Sequence, residues 1–223
     1  MLKLDYFNLL RSFLIILCLF WAVDVGSGQK VKQTLTLPID SQQITPFYTT
    51  ATVKGVEVSE LTLSEPYKNQ TNAFNQQETD FFIKGEHFGS SSVSQDSHYY
   101  EIDHFDYQDH TFKLIIYNKF GESDTLLLNT QLNSYDKQGN LIDAVLLDSR
   151  FSYEDIVCFS NFTINPDYSI HIENYVTYLY EEGQYGLPEG LIKDPKPQLY
   201  LQMQYKIENG MFKQVVKIEI PTK

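Results

Sequence analysis

The chain has 223 residues, 29 acidic against 17 basic side chains, and a formal net charge of −12. An acidic surface of that size repels phosphate backbones, which excludes nucleic acid as a partner and opposes docking to anionic membrane surfaces. Cys18 and Cys158 are the only cysteines, so no disulfide framework is available, and a chain this long can bury a core without one.

The first element predicted is an export signal. Lys3 and Arg11 precede an apolar run from Phe13 to Val23, and the small residues Gly26, Ser27 and Gly28 follow. A basic start, a short helical apolar stretch and a small-residue exit are the layout of a secretory signal peptide. The run is too short to span a bilayer, which takes about twenty residues. An uncleaved anchor and lipidation at Cys18 are the alternatives. Arg11 interrupts the apolar stretch and opposes the first. Leu17 occupies the position before Cys18, where lipidation wants a small residue, and opposes the second. The expected organisation is therefore a signal peptide at residues 1–28 and a single exported domain at 29–223, destined for the periplasm, the cell surface or the medium. Lys3, Arg11, Asp5 and Asp24 leave together, so the net charge is unchanged by cleavage. Cys158 then stands alone, expected as a small buried hydrophobe rather than a reactive thiol.

Beyond the signal, Val31 to Ile39 and Thr52 to Leu63 alternate apolar and polar residues as strands do. Lys68 to Thr79 is polar, with one short helical turn predicted within Asn72 to Asp80. Ser90 to Ser97 reads as a loop, and Phe112 to Tyr117 as a strand. A hairpin is predicted from Leu126 to Leu147. Its turn, Asp136-Lys137-Gln138-Gly139-Asn140, suits a type I turn with Gly139 in the left-handed region, pairing Leu132 with Ala144 and Thr130 with Leu146. A further turn at Asn165-Pro166-Asp167 pairs Ile164 with Ile170 and puts Cys158 on the Ile170 face. Glu181 to Pro197, rich in Gly and Pro, reads as a long loop. The last hairpin turns at Asn209-Gly210, the strongest short hairpin signal. Unbroken alternation on both arms pairs Ile207 with Phe212, Met203 with Val216, Leu201 with Ile218 and Leu199 with Ile220, all on one face. The sum is an all-β protein: an antiparallel meander of hairpins forming a sandwich or a partly closed barrel.

Three stretches carry a resemblance: Leu126 to Tyr135, Asp136 to Asp143 with its Gly-x-Leu-Ile-Asp turn and strand, and Phe162 to Ile170 with its Ile-Asn-Pro-Asp hairpin. Together with the Lys206 to Phe212 hairpin, they resemble uncharacterised exported proteins of Bacteroidetes-type bacteria over the C-terminal half. The resemblance implies a β-rich exported domain and carries over no active-site residue.

Catalytic and cofactor motifs are missing from the sequence. Gly89 to Val93 lacks the second glycine of a nucleophile elbow, and no phosphate-cradling glycine loop occurs. Cys158 and His171 fall on opposite strand parities, which rules against a thiol–imidazole pair. The densest polar cluster runs from His98 to His110. If it is a strand, His98, His104 and Asp106 share a face with His110 in the next turn, a donor set suited to zinc and, with it, to a metal-dependent hydrolase. The competing reading is a solvated acidic strand. Tyr99, Tyr107 and Tyr185, with Tyr67 and Tyr100, are candidates for an exposed aromatic surface that meets a glycan or a protein. The function expected is non-enzymatic binding of a protein, glycan or small ligand, with the zinc hydrolase and a structural envelope or adhesin role as alternatives.

Overall fold

A computed structural model describes residues 35–53, 56–183 and 188–222. The expected signal peptide and the start of the strand expected from Val31 lie outside the described residues.

The strands follow most of the alternating runs, but residues 35–38 are not strand and the run from Thr52 to Leu63 is divided between two strands. They are β1 (Ile39–Asp40), β2 (Tyr48–Val53), β3 (Val56–Leu63), β4 (Asn72–Ala73), β5 (His98–Tyr107), β6 (His110–Phe120), β7 (Leu126–Tyr135), β8 (Leu141–Tyr153), β9 (Ile156–Ile164), β10 (Ile170–Tyr178), β11 (Tyr180–Glu182), β12 (Pro188–Leu191), β13 (Gln198–Glu208) and β14 (Met211–Glu219). Among the described residues the one α-helical turn, α1 (Gln76–Thr79), carries a capping box between Asn75 and Glu78 and falls where the polar stretch predicts it. The main sheet is an antiparallel meander in the order β14-β13-β10-β9-β8-β7-β6-β5-β4, with β1 added on β9.

β8 carries the bend. From Leu141 to Arg150 it pairs with β7, skipping Ile142 and Leu147, whereas only Phe151, Ser152 and Tyr153 pair with β9. Past that point β8 and β9 diverge, and β9 finishes against β1 through Ile164↔Ile39. Divergence orphans backbone groups, which must find other partners when buried. The Ser160 amide donates to Asp148 Oδ1 at 2.6 Å, and its carbonyl accepts from Arg150 Nη2 at 3.3 Å. Arg150 Nε in turn donates to Asp148 at 2.5 Å. Burial pushes the Asp148 carboxyl up, against Arg150 and the Ser160 amide, which pull it down. The edge of β8 left free takes a one-residue parallel bridge from Lys84 to Val145.

The bend folds the two halves of the sheet over one core. Phe112, Leu114 and Ile116 of β6 and Val145 and Leu147 of β8 meet Ile170, Ile172, Leu201, Met203, Tyr205 and Phe212 from the other half. Asp143, 3 % exposed, ties the halves together. It accepts from Lys84 Nζ at 2.5 Å and from the Phe212 amide at 2.7 Å. The outer side of β5–β8 is covered in turn by the 74–93 segment through Phe74, Ile83 and Val93. The serine-rich stretch is not a bare linker there: Lys119 Nζ donates to the Ser90 and Ser92 carbonyls at 2.6 and 2.9 Å.

The turn chemistry holds. Asp136 and Asn140 pair, with Gly139 at φ +82°, and Ile164 pairs with Ile170. The β9–β10 register holds along its whole length, but in the other two hairpins the register away from the turn does not. In the β7–β8 hairpin the ladder skips Ile142, so Leu132 faces Val145 and Asn133 faces Ala144, and it skips Leu147 as well, so Thr130 faces Asp148 and not Leu146. In the last hairpin Ile207 faces Phe212 as expected, but the ladder skips Val215. One extra residue transfers every later side chain to the other face. Met203 therefore faces Lys217, Leu201 faces Glu219, and Ile218 turns outward at 49 % exposure while Leu201 stays buried. The Glu181–Pro197 stretch is corrected too: β11 and β12 pair within it as a small separate hairpin.

Candidate ligand-binding face

Outward side chains of β9, β10, β13 and β14 line up across the strands. Antiparallel registers place Asn161 opposite Glu173, Glu173 opposite Gln202, and Gln202 opposite Ile218. The next row is Thr163, His171, Gln204 and Val216. On the other side of the first row, Phe159 faces Tyr175, with ring centroids 5.2 Å apart and planes 13° from parallel. Neighbouring rows are about 7 Å apart and neighbouring strands about 4.8 Å, so the face is a grid of amides, one carboxylate and one imidazole beside an aromatic pair.

The grid is pre-set by its own hydrogen bonds. Glu173 accepts from Tyr175 Oη at 2.8 Å and from Gln202 Nε2 at 3.1 Å. Burial, then the Glu173 carboxylate, raise the Tyr175 phenol above its usual value, so it remains a donor at neutral pH. A carboxylate has about four lone-pair sites, so Glu173 keeps acceptor capacity for a ligand.

The face is recessed. β1 and the 3-10 turn after it (Ser41–Phe47) flank β9, and Ser41 Oγ donates to Asn161 Oδ1 at 3.3 Å. The wall closes one side of a groove of about 540 Å³ over the Asn161 and Thr163 rows. A second recess of about 510 Å³ continues past Ser41, Gln42 and Asn161 to Arg150. There the guanidinium lies 5.4 Å from the centroids of both Tyr48 and Phe159. The groove thus runs from an aromatic and cationic end to an amide-rich end, with Val216 and Ile218 as an apolar margin.

Other candidates fall elsewhere. His98 Nδ1 meets the Asp96 carbonyl at 3.2 Å, His104 Nδ1 meets Glu101 at 3.0 Å, Asp106 accepts from Thr111 at 2.7 Å, and His110 Nδ1 meets the Gln108 carbonyl at 2.6 Å. Each engages its own turn or strand neighbour. The ladder skips Ile102, so His98 takes the side of Tyr100 while His104 and Asp106 take the other. Among the described residues no three His, Cys, Asp or Glu side chains are gathered as a metal ion requires. Tyr99 packs on Phe74 at 4.7 Å and is 7 % exposed, which takes it out of any presented surface. Tyr107 stacks on Tyr168 at 3.9 Å, and Tyr67 and Tyr100 pack around Phe47. Tyr185 lies outside the described residues. Cys158 is buried and His171 exposed, on opposite sides of their strands, and burial pushes the thiol up to about 12.

Reading the sequence for chemistry missed Phe159, Glu173, Tyr175, Gln202 and Gln204, because each is the polar or outward half of an ordinary alternation. The available signal was Glu173-Asn174-Tyr175 with Gln202-x-Gln204: a carboxylate, a tyrosine and two amides at outward positions of two adjacent strands.

The fold and groove define a class: an antiparallel β-sheet domain with a pre-formed polar and aromatic face. No known protein family, curated protein or solved structure matches the chain. Among the described residues no helix is long and apolar enough to cross a membrane.

Proposed function

We propose that the protein is an exported, non-enzymatic binding domain for a neutral glycan, held along the groove over β9, β10, β13 and β14. The observation that carries the reading is the row Asn161–Glu173–Gln202 beside the stacked Phe159–Tyr175 pair. Sugar rings offer hydroxyls that both donate and accept, and apolar C–H faces that lie on aromatic rings. Fixed amides and a carboxylate meet the first need, and the aromatic pair meets the second. The net charge of −12 favours an uncharged polysaccharide over an anionic one. The basic N-terminal start, apolar run and small-residue exit support export to the periplasm, the cell surface or the medium. The resemblance to exported β-rich proteins of Bacteroidetes-type bacteria points the same way.

A protein partner adding a strand to the free edge at β14 is less well supported. Lys213 and Lys217 stand exposed along that strand, a charge pattern that discourages edge pairing.

The test is native gel electrophoresis through gels containing a neutral β-glucan, mannan or xylan, with bovine albumin as the mobility control. Retardation in one of them is expected, with Tyr175→Ala and Glu173→Ala each restoring free mobility. Unchanged mobility in all three, or retardation untouched by both substitutions, refutes the reading.

A further inference from the structure

The two recesses over β9 form one trough. Both are lined by Ser41, Gln42 and Asn161, so the floor is continuous from Phe159 to Thr163. The β9–β10 ladder runs without a skip from Val157↔Thr177 to Ile164↔Ile170. The outward pairs Phe159–Tyr175, Asn161–Glu173 and Thr163–His171 therefore stand in a single file along the two strands.

The walls run with that file. Beside β9 stands the Ser41–Phe47 turn, rooted in the core through Ile44 and Phe47. Asp40 caps it, accepting from the Gln42 and Gln43 amides at 2.9 and 3.2 Å. At the aromatic end Pro195 and Pro197 line the opposite side. They fall on the β13 side of β10, because Gln198 pairs with Val176. At the amide end the floor widens instead, across Gln202 and Gln204 to Val216 and Ile218.

Resting on the glycan reading, we infer that the ligand is an extended β-1,4-linked ribbon, a glucan, mannan or xylan backbone, lying lengthwise on β9 and β10 with about four consecutive rings in contact. Length sets the ring count. Strands rise about 3.4 Å per residue, so Phe159 to Thr163 spans about 14 Å, or roughly three steps of a ribbon that advances about 5 Å per ring. Shape sets the linkage. Equatorial bonds at both ends of each ring keep a chain straight, whereas α-1,4 links coil it, and a straight trough beside a fixed wall takes the ribbon. Chemistry fits the same pose. A ribbon carries hydroxyls along its two edges and C–H groups on its faces. Ser41, Gln42 and Asn161 meet one edge, Glu173 and Gln202 the other, and the Phe159–Tyr175 pair meets a face.

The experiment is calorimetry on the full chain at pH 7 with cello-, manno- and xylo-oligosaccharides of two to six rings, run beside the polysaccharide gels, with maltohexaose as the coiled comparator. In at least one series, affinity is expected to rise about five-fold per ring up to the fourth, the worth of one neutral hydrogen bond, and to level off beyond it. Maltohexaose is expected not to bind. His171 is exposed at one end of the file and Ile218 is 49 % exposed on the β14 margin. His171→Ala should therefore abolish the gain from the fourth ring, and Ile218→Ser should leave the series unchanged. Affinity that stops rising at the dimer or still rises at the hexamer, equal affinity for maltohexaose, or a loss in Ile218→Ser with none in His171→Ala would each overturn the lengthwise ribbon, while retardation by a polysaccharide would leave the glycan reading standing. No binding of any hexasaccharide overturns the ribbon as well, and unchanged mobility in every gel then overturns both.

Discussion

Asp143→Ala tests what holds the two halves of the folded sheet together. Asp143 is 3 % exposed and accepts three hydrogen bonds: from Lys84 Nζ at 2.5 Å, the Phe212 amide at 2.7 Å and the Ala144 amide at 2.9 Å. Truncation leaves the Phe212 amide buried and unpaired, which costs about 1–3 kcal/mol. The ammonium suffers less, because Lys84 keeps its bond to the Phe212 carbonyl at 2.7 Å and its side chain is 31 % exposed, so water can replace the carboxylate. Breaking a fully buried pair costs about 3–5 kcal/mol, and the exposure of Lys84 puts this case at the lower end, about 3 kcal/mol. For a domain of this size that is roughly 6–12 °C in Tm. Thermal melts by far-UV circular dichroism measure it, with urea titrations to check that the m value is unchanged. Lys84→Met leaves Asp143 both amides but strands a buried carboxylate and the Phe212 carbonyl, so it should cost about as much. The double variant should fall short of the sum by about 1 kcal/mol or more, because the two residues share one interaction. A loss below about 1 kcal/mol in Asp143→Ala, or strict additivity in the double variant, would refute the assignment of Asp143 as the tie between β8 and β14.

Further outcomes follow from the same reasoning. Burial holds the His87 pKa below its ordinary value of 6.5. The unfolded chain therefore binds a proton at His87 that the folded chain refuses, and stability falls as pH drops from about 6.5 toward the folded pKa; urea midpoints from pH 7.5 to 5 should decline less steeply in His87→Gln. With its thiol pushed up to about 12, Cys158 holds only about one thiolate in 10⁴ at pH 8, so alkylation at Cys158 should be slow in the native protein and rapid in denaturant. At Gly121 a Cβ would sit 2.6 Å from the Phe88 carbonyl and 3.0 Å from its ring; Gly121→Ala should cost about 1–3 kcal/mol, which a thermal melt reports. A loss below about 0.5 kcal/mol, the size of an ordinary surface change, would show that the Phe88 backbone gives way at no cost.

The fold class, the hairpin turns and the parity near each turn were legible because they depend on local chemistry. Asn209-Gly210 needs positive φ at both central residues and has it, at +51° and +76°. Asn165-Pro166-Asp167 fixes Ile164 against Ile170, and Cys158 and His171 separate as parity requires. Legibility ended where a strand inserts one residue. Ile102, Ile142, Tyr200 and Val215 each stand outside the ladder beside them. None is marked by a glycine or proline, so alternation carried straight across them gives the wrong face. The bend along β8 was also hidden, since its residues 143 to 149 are buried on both sides and show no half-exposed alternation.

These insertions build the sites. Without the skip at Val215, Val216 and Ile218 would follow Phe212 into the core, and Lys217 and Glu219 would face the groove in their place. Charge beside Glu173 would then replace an apolar margin. Without the skip at Tyr200, its ring would follow Gln202 outward, and the apolar cluster of Leu127, Phe151, Cys158 and Val176 would lose part of its cover. Both are properties of the sheet edge, where one inserted residue disturbs a single ladder and costs little; the same insertion in a central strand would disrupt pairing on two sides. β14 is the terminal strand of the sheet and β13 its neighbour, so the last twenty-odd residues can change the face they present while the β6–β7 and β9–β10 ladders, which run without a skip, keep their register. Removing Val215 tests this directly. It should leave Gln204 opposite Val216 and the groove intact while straightening β14, so glycan retardation should survive with a melting temperature within a few degrees of the parent. Loss of folding on that deletion would show instead that the bulge is required for the β13–β14 edge to close over Phe112 and Phe212.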